Sequence, residues 1–178
     1  ISKMLYFYIT KIWMKNIRLF FLFIPLICIT QLNCERDDIC IEGVIESPDL
    51  ILLFLDAKNV SIRKSPLNFS IRAIGNDTPV PKRGSNDSLL LPLKIQENNV
   101  QFEFIINKGS EEENIDTLQI NYQRFDTFIN SACGFRSNFI LENKPATILN
   151  PGDNWINSFI ILKDTISNEE TAHLGILH

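Results

Sequence analysis

Cys34 and Cys40 bracket four charged residues in "CERDDIC". Thiols set among carboxylates can ligate a metal, exchange disulfides or carry a covalent modification. A zinc site needs four ligands, mostly Cys and His, and both histidines, His173 and His178, stand near the other end of the sequence. Asp37 and Asp38 alone are too few oxygen ligands for calcium. The spacing of the two thiols also exceeds that of a thioredoxin-like Cys-x-x-Cys pair. Other chemistries are as thinly provided. A Ser-His-Asp or Cys-His mechanism has to recruit His173 or His178, and Cys133 has no evident base. Seven glycines are scattered singly, so no phosphate-cradling loop is present. Glu111–Glu113 falls in an expected hairpin loop and reads as a solvated tip. Paired carboxylates for glycoside hydrolysis are a tertiary arrangement that sequence does not reveal. The expectation is a chain with no catalytic, cofactor-binding or metal-binding residues.

What positions the first cysteine is the stretch before it. All 21 acidic residues and all but four of the 17 basic ones lie behind Cys34; the four are Lys3, Lys11, Lys15 and Arg18. The body is therefore acidic and has no basic run, which makes it a poor partner for nucleic acid. Lys15 and Arg18 precede an apolar run from Leu19 to Ile29, and "TQLN" then leads to Cys34. That order is the grammar of a secretory signal peptide. The run is shorter than the roughly 20 apolar residues of a bilayer span. Met14 begins a signal of ordinary length, so residues 1–13 read as lying upstream of the true start. The alternative is an N-terminal membrane anchor with Lys11, Lys15 and Arg18 on the cytoplasmic side.

A cysteine that closes such a run resembles the lipobox of bacterial lipoproteins, in which the thiol is acylated and becomes the mature N-terminus. Gln31 and Asn33 depart from the aliphatic and small residues usual at those positions. The resemblance implies lipidation of Cys34. The cluster Glu35, Arg36, Asp37 and Asp38 resembles the export signal of surface lipoproteins of the Bacteroidetes; its alternative is a solvated tether. Cys28 leaves with the signal and Cys34 with the lipid. Cys40 and Cys133 remain in an exported, oxidising setting and are expected to pair; two buried free thiols are the rival. Asp87-Ser88-Leu89, Asp116-Thr117-Leu118 and Asp164-Thr165-Ile166 match a short O-glycosylation pattern of exported Bacteroidetes proteins, with Ser88, Thr117 and Thr165 as acceptors. Each is expected where a turn meets a strand, a place that favours Asp-Ser and Asp-Thr in any case.

The body reads as strands. "LILLFLD" (50–56) fits a strand buried on both faces. "LNFSIRAI" places Leu67, Phe69, Ile71 and Ala73 on one side. "VQFEFII" alternates with Val100, Phe102, Phe104 and Ile106 inward, and "TLQINYQ" with Leu118, Ile120 and Tyr122. Further strands are expected at 89–95, 135–142, 155–163 and 172–177, with Pro92 at a sheet edge or bulge. "GNDTPVPKRGSND", "NKGSEEEN" and "NPGDN" supply turns. The thirteen phenylalanines read mainly as core, and Trp155 as packing over one end. The fold expected over 47–178 is all-β, a single antiparallel, Ig-like β-sandwich of seven to nine strands; a small β-barrel is the alternative. Residues 34–46 form the lipidated tether and 1–33 the signal region.

Taken in order, "CERDDIC", "LILLFLD", "INYQR", "SACGF" and "NWI" resemble a family of small lipoproteins of flavobacteria and other Bacteroidetes with no assigned activity. The resemblance implies a cell-envelope β-sandwich and no reaction. The expected function is a non-catalytic, lipid-anchored envelope protein of the outer membrane, periplasmic or surface-exposed. It would bind or scaffold an envelope protein or glycan without a cofactor. The alternatives are a carrier of an apolar ligand, which needs an open Phe-lined cavity, and a carboxylate-dependent glycan hydrolase.

Overall fold

The computed structural model describes Cys40 and residues 46–76, 78–150 and 152–178. Period-two alternation over these residues builds nine strands: β1 (Leu50–Leu55), β2 (Ser70–Ala73), β3 (Ser88–Leu91), β4 (Asn99–Ile106), β5 (Asn114–Asn130), β6 (Gly134–Ile148), β7 (Ser158–Ile161), β8 (Thr165–Ile166) and β9 (Leu174–Leu177). They form a four-stranded sheet in the order β3-β1-β9-β7 and a five-stranded sheet in the order β2-β4-β5-β6-β8. The two pack face to face as a β-sandwich, without closing into a barrel.

Inward residues of both sheets make one core. Leu50, Leu52 and Phe54 of β1 and Leu174 and Ile176 of β9 meet Ile71, Phe102, Phe104, Leu118, Ile120, Tyr122 and Phe139 from the opposite sheet. Burial of such side chains contributes about 1.5–3 kcal/mol each. The Tyr122 hydroxyl accepts a hydrogen bond from the Lys94 N–H and donates one to the Lys94 carbonyl, at 2.9 and 3.1 Å. It thereby ties the segment after β3 to the middle of β5. Burial pushes the Tyr122 phenol pKa upward.

Four expectations need correction. The strand pairs are antiparallel except β1 with β9, which run parallel from Leu52↔Leu174 to Leu55↔Leu177; the four-stranded sheet is therefore mixed. Leu67 lies outside β2 and is 73% exposed, because the strand starts only at Ser70. At the end of β4 the alternation breaks, and Ile105 is buried in place of Ile106. β1 is fully buried on one face, while Ile51 and Leu53 on the other are half-buried. Pro92 directly follows β3, an edge strand, where no ladder hydrogen bond is asked of it.

Gly175 sits in β9 between β1 and β7. A Cβ there would lie 2.6 Å from Cγ2 of Ile160 and 2.8 Å from Cδ1 of Leu55. Gly175→Ala is expected to destabilise the fold by about 1–3 kcal/mol, since overpacking moves both neighbours off their preferred rotamers. Urea denaturation measures this directly; an unchanged midpoint would mean that the two side chains swing aside freely.

Candidate functional site

β5 and β6 form the longest hairpin, and part of it stands clear of the sheet. β4 covers β5 only as far as the pair Asn99↔Asn121, and β8 touches β6 only at Phe139 and Ile140. From Phe125 to Asn130 and from Gly134 to Asn138 the two strands pair with each other and, among the described residues, with no other strand. This two-stranded ribbon projects about 20 Å at the usual rise per residue. An isolated ribbon is marginal in water, and three devices hold this one. Asp126 accepts from Arg124 Nη2 at 2.7 Å and from Ser137 Oγ at 2.9 Å, which keeps its carboxyl below the usual carboxylate range. Asn138 Nδ2 donates to Thr127 Oγ1 at 2.9 Å. At the turn, the side chain of Asn130 accepts from the backbone N–H groups of Ala132 and Cys133.

The tip joins a disulfide and an exposed aromatic pair. Cys133 is disulfide-bonded to Cys40, with the Cα atoms 4.9 Å apart. Phe128 and Phe135 face each other across the hairpin, edge to face, with centroids 5.4 Å apart. They are 56% and 67% exposed. Phenylalanines are expected mainly in the core, and this pair departs from that expectation. Its signal was there to be found: two aromatics, Phe128 and Phe135, placed symmetrically about the turn "INSACG" point the same way when the hairpin closes.

The other candidate residues fall elsewhere. Cys34, Glu35, Arg36, Asp37 and Asp38 lie outside the described residues. Ser88 and Thr165 each open a strand, β3 and β8. Thr117 does not; it is the fourth residue of β5, and its neighbour Asp116 is fully buried. Asp116 is an anchor rather than a turn residue. It accepts the backbone N–H of Ile156 and Nδ2 of Asn154, both at 2.8 Å. Asn150 meanwhile pairs its side chain with the Thr117 N–H and the Ile115 carbonyl. Glu111–Glu113 does lie in the exposed β4–β5 loop, where Glu113 accepts the N–H of Gly109.

Both histidines are built into the backbone. His173 Nδ1 accepts the Ile51 N–H at 3.1 Å, while the His173 N–H donates to the Ile51 carbonyl at 2.9 Å. The proton therefore sits on Nε2. His178 Nε2 lies 2.8 Å from the Lys64 carbonyl and donates to it; its ring packs edge-on against Trp155 and Phe54. Trp155, in turn, donates Nε1–H to the Phe104 carbonyl. Burial lowers the pKa of both imidazoles below the ordinary value of 6.5; at His173 the charge of Lys163 adds to this. In acid the unfolded chain thus takes up protons that the folded one refuses. Stability is expected to be level above pH 6.5 and to fall as the pH drops from there toward the lower folded values. His173→Asn, which keeps an acceptor near Nδ1 but cannot be protonated, should flatten that slope in thermal melts; an unaltered slope would exclude His173 as its source.

An open groove of about 480 Å³ runs beside β2, lined by Ile74, Pro92, Leu93, Val100 and Phe102, with Lys94 and Glu97 at its rim. Phe102 is the single phenylalanine in that lining and Glu97 the single carboxylate, which is bonded to Lys94 Nζ at 2.9 and 3.1 Å. A glycan-hydrolase reading needs a second carboxylate there. A carrier reading needs a more enclosed and more aromatic wall. The hairpin tip is the more distinctive feature of the described residues.

No curated protein matches the chain, and no solved structure does. Residues 68–178, from just before β2 to the end of β9, match the profile of a family described as "Family of unknown function (DUF6452)", so the chain belongs to that family.

Proposed function

We propose that this protein is a non-catalytic, lipid-anchored domain of the bacterial cell envelope, held at the outer membrane through Cys34 and acting by binding or scaffolding. The carrying observation is the Cys40–Cys133 disulfide. Structural disulfides belong to oxidising compartments, and this one lies just behind a leader of secretory grammar. The residues best suited to chemistry have structural work instead: His173 and His178 bond to backbone, and Asp116 anchors Asn154 and Ile156. The resemblance to lipoproteins of the Bacteroidetes, with their acidic cluster behind the acylated cysteine, favours the same address.

Growth with a radiolabelled fatty acid tests the anchor. Label should enter the wild-type protein in the membrane fraction and be lost in Cys34→Ala. Equal labelling of both, or a protein that keeps its leader and stays soluble in the cytosol, would overturn the proposal.

A further inference from the structure

We infer that the β5–β6 ribbon tip is a second membrane contact, with Phe128 and Phe135 seated among the headgroups and upper acyl chains of the bilayer that holds Cys34. This rests on the anchoring reading above and goes beyond it by assigning a lipid-facing surface.

Six residue steps separate Cys34 from Cys40, so an acylated Cys34 lies within about 20 Å of Cys40 even when fully extended. Cys40 is bonded to Cys133 at the ribbon turn. The chain from lipid to protein therefore reaches the domain at the tip of its projecting arm, before β1 begins. Any pose that keeps Cys34 at the membrane keeps that tip close to it.

What the tip presents suits the interface. Phe128 and Phe135 are large apolar rings left 56% and 67% exposed, held side by side by the edge-to-face contact. Asn130 accepts two of the N–H groups of the turn, those of Ala132 and Cys133, which lowers the cost of moving that backbone away from water. The charged residues Arg124, Asp126 and Arg136 occupy the ribbon behind the rings, where headgroups and water remain within reach. Two shallow aromatic side chains add to the acyl anchor as a second signal does, and they fix orientation as well as affinity.

The test uses full-length protein purified from its own envelope and reconstituted into phosphatidylcholine vesicles, with and without bromine on the acyl chains near the headgroups. Intact mass first establishes the acyl chains on Cys34. Phe128→Trp, and separately Phe135→Trp, should then give added emission that is blue-shifted and quenched about two-fold or more by the brominated lipid, as expected for side chains at the headgroup–acyl boundary. The native Trp155, packed against Phe54 and Phe69, should be unaffected and serves as the internal reference. Acylated protein whose new tryptophans are unquenched in both variants overturns the tip contact while leaving the anchor standing. Protein without acyl chains overturns the anchor, and the tip contact with it.

Discussion

Removing the Cys40–Cys133 disulfide is expected to lower the unfolding free energy by about 4–5 kcal/mol, because the bond closes a long loop in the unfolded chain. The two cysteines are 93 residues apart, and the enclosed stretch contains β1 to β5 entire. Without the bond, the unfolded ensemble regains the freedom of that whole segment. The paired variant Cys40→Ser/Cys133→Ser avoids a stray thiol and is the cleaner comparison. In urea its midpoint should fall well below that of the oxidised wild type, and reduction of the wild type should reproduce the shift. Hydrogen exchange should quicken most between Phe125 and Asn138, where no other strand of the described residues flanks the ribbon. Coincident unfolding curves would show that the bond fastens the Cys40 segment without constraining the domain.

Asp116→Ala carries the next largest expected cost, about 3 kcal/mol. The Asp116 carboxylate is fully buried and holds the Ile156 N–H and Asn154 Nδ2. Truncation leaves the Ile156 N–H unpaired in a residue only 2% exposed, and the full desolvation cost of that donor then counts against the folded state. Asp116→Asn should cost less, about 1–2 kcal/mol. Its amide oxygen still serves Ile156, but its amide nitrogen faces that of Asn154. The order Ala worse than Asn, read from urea midpoints, distinguishes a lost acceptor from a lost charge; equal costs would favour the charge.

Strands with strict alternation were legible from sequence because their register is written in side-chain type. β4 and β5 are of this kind, with Val100, Phe102, Phe104, Leu118, Ile120 and Tyr122 all turned inward. The pairing of Cys40 with Cys133 was legible by elimination. Where reading failed, the cause was tertiary. Leu67 belongs to an alternating run, yet β2 begins after it, since Asn107 N–H and the Leu67 carbonyl meet in a loop contact outside the ladder. Asp116 looked like a turn residue because Asp-Thr is common in turns; its role depends on Ile156, 40 residues away. The pairing of Phe128 with Phe135 could be read from the hairpin, but their exposure was hidden for a similar reason. Phe128 and Phe135 continue an alternation that is buried elsewhere, and nothing local records that β4 has already ended.

The parallel pairing of β1 with β9 has a kinetic consequence. Ile51 and His173, which exchange backbone and ring hydrogen bonds, are separated by 122 positions, so the four-stranded sheet closes by one of the longest searches in the chain, a slow class of step. Until β9 arrives, the run Leu50–Leu55 has a single neighbour and an open flank of unsatisfied amides, the kind of sticky ribbon that seeds clumping. Aggregation during refolding is therefore expected to start from that run, rather than from the acidic loops around it, before its distant companion docks.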